Sequence, residues 1–338
     1  MSGGVDSSVT AALLIERGFD VTGVYMKNWS KDLPGFACPW KEDFQDAKRV
    51  AVQLGIDFKM YDFETEYRAQ VVDYMVQGYQ AGITPNPDIM CNQEVKFKLF
   101  LDAALADGAD MIATGHYARI ADGKLLAGQD ANKDQSYFLY RVTEDALSKS
   151  LMPIGDMEKP LVRAKAAELG LATAHKKDSQ GICFVGKVGI KDFLLAELGE
   201  QEHGAIVDES GRTIGEHDGA LFYTIGQRHG LDVGGGLPYY VVGKDMAKNE
   251  VYVTTDLQDA RLWRNELSLT SLHWINGAPA AGKYKVRTRY RAPLVDCKLK
   301  LDGSSAAIIL NEEVRAITPG QSAVLYDGDR VLGGGIVI

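Results

Sequence analysis

The sequence predicts a doubly wound parallel-sheet α/β domain followed by β structure, namely a small central β module and a C-terminal β-barrel. Two observations carry this. The first half alternates helical and strand-like stretches, which implies a parallel sheet wrapped by helices. Beyond about Gly199, short β-branched and aromatic runs are broken by turn signals at 209–211, 217–219, 234–236, 302–303 and 326–328, the pattern of antiparallel β structure.

Taken in order, Ser8 to Arg17 carries apolar residues at helical spacing and stops at Gly18, and Val21 to Met26 reads as a strand. Phe44 to Leu54 repeats the helical pattern, closed by Gly55 and followed by the strand-like Asp57 to Tyr61. Two further helices, Glu64 to Gln80 and Gln93 to Leu105, precede a short strand at Met111 to Thr114. The expected domains are 1–197, 198–262 and 263–338. Nucleotide loops in α/β folds follow a strand, yet the glycine-rich loop here begins at Ser2 with none before it. The expectation is that the start lies upstream or that the first strand is missing. Protein made from Met1 should then be poorly soluble or inactive, since such a strand is normally buried on both faces.

A chain of 338 residues, 46% hydrophobic, can bury more than one core. It has no apolar run long enough to span a bilayer and no basic-then-apolar leader, so it reads as cytoplasmic with no membrane partner. Four cysteines do not make a disulfide scaffold, and none lies in a close metal-ligand pair. A net charge of −9 argues against wholesale coating of nucleic acid but leaves room for a confined basic strip.

Ser2-Gly3-Gly4-Val5-Asp6-Ser7-Ser8 opens the first helix. Its glycines let the backbone curl around an anion, and the helix N-terminus adds partial positive charge. Asp6 is placed to hold Mg²⁺ against phosphates. No Gly-Lys-Ser/Thr follows, so this is not a mononucleotide P-loop. The bland alternative is a helix cap behind a flexible turn.

Cys91 lies in Thr84-Pro85-Asn86-Pro87-Asp88-Ile89-Met90-Cys91-Asn92, just before the helix expected near Gln93, where a helix N-terminus favours thiolate. Asp88 is close enough to act as acid or base beside it. Cys183 lies in Lys176-Lys177-Asp178-Ser179-Gln180-Gly181-Ile182-Cys183-Phe184, an electropositive, turn-rich stretch. Packing has little use for a thiol in such loops, whereas Cys38 and Cys297 read as small buried hydrophobes. Residues 283–291 alternate strictly: Lys283, Lys285, Arg287, Arg289 and Arg291 share one strand face, while Tyr284, Val286, Thr288 and Tyr290 share the other. Such a strip suits RNA phosphates, with aromatics for stacking, against the bland reading of a solvated strand face.

The Ser2–Ser8 loop resembles the SGGxDS loop of the ATP pyrophosphatase (PP-loop) superfamily, whose members cut ATP between its α- and β-phosphates and adenylate a substrate. GMP, NAD and argininosuccinate synthetases share that loop. The order of further motifs is more specific: Asn86-Pro87-Asp88 with Cys91, Thr114-Gly115-His116-Tyr117, Lys133-Asp134-Gln135-Ser136-Tyr137, Gly181-Ile182-Cys183-Phe184 and Phe222-Tyr223-Thr224-Ile225-Gly226-Gln227-Arg228. In this order they resemble the bacterial tRNA-specific 2-thiouridylases across essentially the whole chain.

The resemblance implies ATP-dependent 2-thiolation of the wobble uridine of tRNA. Adenylation turns the uracil C2 oxygen into a leaving group, and a persulfide delivers sulfur that a second thiol frees, leaving a disulfide to be reduced. It makes Cys183 the persulfide carrier and Cys91 the partner nucleophile. The ATP loop is Ser2 to Ser8, with Met26 and Gly115 at the nucleotide. Contacts to tRNA fall on Asn86, Pro87, Asp88, His116, Lys133, Asp134, Gln135, Arg289, Tyr290 and Gln321. The target base is expected to flip out of its loop. Sulfur is expected from a persulfide carrier protein or a cysteine desulfurase relay. An iron–sulfur cluster on the two cysteines with Asp88 is the secondary reading of that set. Two other functions compete: another adenylating ligase, which leaves both cysteines and the basic strip without a task, and a non-catalytic RNA-binding protein, which leaves the loop without one.

Overall fold

The computed structural model describes residues 1–177, 189–231, 233, 234, 236 and 238–338. Helix α1 (Val5–Glu16) buries Val5, Val9, Ala12 and Leu14 and ends before Gly18, whose φ of +83° no other residue adopts cheaply. Strand β1 (Thr22–Lys27), helix α2 (Trp40–Leu54) and strand β2 (Asp57–Asp62) follow, and β1 and β2 pair in parallel from Thr22↔Asp57 to Lys27↔Asp62. Gly55 ends α2 in the left-handed region at φ +68°.

Two long helices come next, 64–80 and 87–106, and each widens locally to i→i+5 hydrogen bonding, over Arg68–Val72 and Cys91–Leu99. Such widenings are rare and concentrate at functional positions. The second helix begins at Pro87, earlier than the sequence pattern suggests, because Asn86 caps it by accepting from the Ile89 amide at 3.4 Å and proline suits a first helical position. Strand β3 (Ile112–Ala113) pairs in parallel with β6 (Ser150–Leu151). Among the described residues, the parallel strands of this first part form two separate pairs.

Between β3 and β6 lies a hairpin, β4 (Ala118–Ala121) and β5 (Lys124–Ala127), turning at Asp122-Gly123 with φ of +50° and +69°. That dipeptide is a strong hairpin signal. The hairpin joins a different sheet. Leu126 registers with Arg330, and the Ala127 amide donates to the Asp329 carbonyl at 2.7 Å.

The receiving sheet is the C-terminal barrel: β11 (Trp263–Trp274), β12 (Gly282–Arg287), β13 (Val295–Asp302), β14 (Ser305–Arg315), β15 (Ser322–Asp327) and β16 (Arg330–Val337). It runs in the order β11-β14-β13-β12-β15-β16 and closes through β16 on β11. Val295, Cys297 and Leu299 alternate inward on β13, so Cys297 is the small core residue the pattern suggests, and burial pushes its thiol up to about 11. Before the barrel stands a four-stranded sheet of β7 (Gly204–Val207), β8 (Thr213–His217), β9 (Tyr240–Asp245) and β10 (Glu250–Thr254), in the order β8-β7-β10-β9. Its central β7–β10 pair is parallel, a departure from the all-antiparallel expectation.

Two hydrophobic clusters cross between these parts. One joins Trp29, Tyr67, Met75 and Cys91 to Phe193, Leu221, Tyr223 and Val241; the other joins Phe100, Ile112 and Tyr137 to Val324, Tyr326 and Val331 of the barrel. No helix among the described residues is long and apolar enough to cross a membrane.

Candidate active site and nucleic-acid interface

The Ser2–Ser8 loop is held from both sides. Gly3 has φ +72°, and a Cβ there would lie 2.4 Å from the Asp43 carbonyl oxygen, so the loop is pressed against the start of α2. Opposite, a Cβ on Gly115 would come within 2.9 Å of the Asp6 carbonyl carbon and the Ser7 nitrogen. Gly4 caps α1 without a side-chain hydrogen bond, while the Ser7 and Ser8 hydroxyls donate backward to the Gly4 carbonyl at 3.1 and 2.9 Å. The amides at this helix start thus lack a side-chain cap, and an entering anion can take that place.

Around the loop runs a polar frame that sequence reading did not find. Asp6 accepts from the Tyr117 hydroxyl at 2.7 Å and from Lys159 Nζ at 2.7 and 2.9 Å. Thr173 donates to the Ser8 hydroxyl at 2.9 Å. Lys176 bridges Asp43 and Asp46, 2.7 Å from each. Met26 lies half-buried on β1 and packs against the Phe100–Ile112 cluster. Asp6, the carboxylate expected to hold Mg²⁺, engages Lys159 through both of its oxygens. Among the described residues no group of three or more His, Cys, Asp or Glu could hold a metal ion. A magnesium ion here would therefore ride on the triphosphate, with Asp6 as one ligand.

Cys91 corrects the sequence reading. It lies inside helix 87–106, one turn past the start, and at 1% exposure it is packed among hydrophobic side chains rather than in a polar loop. Asp88, half-buried on the turn before it, remains near the helix start. Cys183 lies outside the described residues. The chain on either side of it is anchored: Lys176 is tied beside the nucleotide loop, and Phe193 sits in the same cluster as Cys91.

The basic strip is also corrected. Strand β12 stops at Arg287, and the residues after it bend, with Arg291 at φ +62°. Arg287 turns inward, its side chain 13% exposed, onto the buried Asp134 carboxylate at 2.8 Å. Asp134 also accepts from the Gly128 and Ser136 amides, each at 3.0 Å. Lys283, Lys285, Arg289 and Arg291 remain exposed. Tyr290 packs on Phe138 with ring centroids 4.5 Å apart.

All three parts of the molecule meet in a cleft of about 340 Å³ lined by Thr84, Thr224 to Gln227, Arg289 and Gln321. Gln321 donates to the Thr84 carbonyl at 2.8 Å, and the Thr84 and Thr224 hydroxyls lie 3.1 Å apart. Thr84 leads directly to Asn86, Pro87 and Asp88. His116 is buried beside Phe97, with Nδ1 2.9 Å from the Thr114 hydroxyl; burial, with Lys96 nearby, pushes its imidazole well below the usual histidine range. Gln135 accepts from the Tyr117 amide at 2.9 Å, and Lys133 is half-exposed on the same loop.

Three family models match this chain in succession: a tRNA methyl transferase HUP domain over residues 1–187, a tRNA methyl transferase PRC-barrel domain over 191–255 and an aminomethyltransferase β-barrel domain over 264–337. The tRNA-specific 2-thiouridylase MnmA of Neisseria meningitidis serogroup C (strain 053442) is 49% identical over 100% of this chain and 94% of its own length. The chain belongs to the tRNA-specific 2-thiouridylase family. The namesake from Bacillus thuringiensis (strain Al Hakam) is 46% identical, again over 100% of this chain and 93% of its own. A solved NMN synthetase from Francisella tularensis overlays with a TM-score of 0.33 at 17% identity, covering 53% of this chain and 63% of that one, too weak a likeness to bear on function.

Membership of the 2-thiouridylase family gives the scattered motifs a common setting. Gly115 touches the ATP loop, and Gln135 is one hydrogen bond from Tyr117, which itself bonds Asp6. Arg289 and Gln321 share the cleft at Thr84. Lys159 and Thr173 were missed as partners of the loop because their positions carry no local mark, and Tyr117, though part of the 114–117 motif, had no task assigned; folding brings all three there.

Proposed function

We propose that this chain is a sulfurtransferase that replaces the C2 oxygen of a tRNA uridine with sulfur at the expense of ATP. The observation that carries this is relationship to named 2-thiouridylases over the full chain, with an ATP-type loop built as an anion cradle. In the finer reading, the uracil O2 of the wobble uridine attacks the α-phosphorus of ATP and pyrophosphate leaves. The terminal sulfur of a Cys183 persulfide attacks C2, and AMP leaves with the former carbonyl oxygen. The Cys91 thiolate then attacks the inner sulfur of Cys183, so the S–S bond breaks toward the base. The products are 2-thiouridine and a Cys91–Cys183 disulfide, which an external thiol reduces. Asp88 serves as acid or base at this step.

Support comes from the chain path. Residues 178–188 link Lys176, fixed beside the loop, to Phe193, in the Cys91 cluster. We read the domains as 1–197, 198–262 and 263–338, with tRNA lying across the cleft at Thr84 and sulfur delivered by a persulfide carrier or cysteine desulfurase. The deciding experiment incubates unmodified tRNA with ATP, a sulfide source and the protein, then analyses nucleosides by mass spectrometry. A gain of 2-thiouridine with equimolar pyrophosphate is expected. Pyrophosphate without thiolated base would favour a different adenylating enzyme, and normal thiolation by Cys183→Ala would remove the persulfide step.

A further inference from the structure

Lys159 opens the helix Lys159–Glu168, is 8% exposed and reaches across to the first turn of α1, where it donates to both oxygens of Asp6. Its ammonium also lies 5.5 Å from the centroid of the Tyr117 ring, whose hydroxyl donates to the same carboxylate. The Lys159 backbone amide donates to Asp130 at 2.9 Å, so the root of the side chain is fixed while its four-carbon stem can swing.

We propose that Lys159 is a phosphate-contacting residue: it neutralises Asp6 when the loop is empty and turns its ammonium to the phosphate seated on the Gly3–Ser8 backbone when nucleotide enters. Three observations support this. An uncompensated carboxylate in the first turn of α1 would repel the triphosphate that the loop amides attract, and Lys159 is the cation bonded to it. The helix start has no side-chain cap, and the ammonium is bonded to the side chain of Asp6 in that same first turn. As a purely structural tie the pair has little to recommend it. The α1 face below it is already held by Val5, Val9, Tyr117 and Val162, and with the Asp6 side chain 31% exposed the ion pair is screened by solvent and adds little stability.

This rests on the ATP reading above, and the test separates the two. Binding of ATP, inorganic pyrophosphate and adenosine would be measured by calorimetry for the native chain, Lys159→Arg, Lys159→Met and the double variant Asp6→Asn/Lys159→Met, with thermal melting of each. The double variant removes the stranded carboxylate and guards against simple misfolding. Lys159→Met is expected to weaken ATP and pyrophosphate by about tenfold or more while adenosine is unchanged, with Arg restoring part of the loss. A folded Lys159→Met or double variant with native affinity for ATP and pyrophosphate, or with all three ligands weakened equally, overturns the assignment. Failure of the native chain to bind ATP at all would instead overturn the ATP reading, and this one with it.

Discussion

Gly3 and Gly115 leave no room for a methyl group, because the atoms that a Cβ would strike belong to backbone rather than to movable side chains. Gly115→Ala must push the Asp6–Ser7 peptide outward, so it should abolish ATP-dependent pyrophosphate release while melting within a few degrees of the native protein. Gly3→Ala adds the left-handed conformational cost of about 1–2 kcal/mol and should lose both activity and stability. His116 gives a pH test. Its folded pKa lies below the ordinary value, so between that ordinary value and the folded pKa the unfolded chain binds a proton that the native one refuses. Stability should therefore fall on acidification below about pH 6.5, and His116→Gln should flatten that part of a melting-temperature profile. At this scale Gly3 was legible, since a paired glycine before a helix announces a backbone that must bend, whereas Gly115 was placed at the nucleotide by the family resemblance alone. The ties of Lys159 and Tyr117 to the loop were not legible, although Tyr117 stands in the 114–117 motif. Their bonds to Asp6 span 153 and 111 residues, a separation that no local pattern encodes.

At the scale of elements, strand β12 and the 133–135 loop are joined by Asp134 and Arg287, an ion pair withdrawn from water on both sides. Arg287→Met leaves a buried carboxylate without its cation and should cost about 3–5 kcal/mol in denaturant unfolding. Adding Asp134→Asn should recover much of that loss, and a simple sum of the two single effects would show that the pair is not coupled. Strict alternation in 283–291 suggested one long strand because side-chain period alone cannot show where hydrogen bonding stops. The strand ends where Arg287 is drawn to Asp134, a partner contributed by a distant loop. The helix that carries Cys91 was misjudged for a related reason. Asn86-Pro87 is a good helix opening, but the two prolines nearby read equally well as a rigid loop.

For the whole molecule, the negative total charge confines any RNA contact to small basic areas, and the inward turn of Arg287 leaves four exposed cations on the 283–291 segment. Replacing Lys283 and Lys285 together by Gln should reduce the slope of log affinity for tRNA against log salt by about 1.5. The Lys283 and Lys285 substitutions are needed for that effect; Arg287→Gln, compared by the same filter-binding titration, should leave the slope unchanged. The broad architecture was legible because alternation of helix and strand, and later of turn and strand, persists over long stretches. The annexation of the Ala118–Ala127 hairpin by the barrel was not, since a hairpin signal names its own turn and not the sheet that will receive it.

That shared sheet has a mechanical consequence. With β5 hydrogen-bonded to β16 and a common apolar cluster sinking the central sheet into helix 64–80, neither β region can swivel freely on the α/β part. The protein resembles an anvil more than a pair of jaws. A polynucleotide that binds here should then supply the bending itself, and one stiffened at the bound loop should bind more weakly than a supple one of the same sequence in a filter-binding titration.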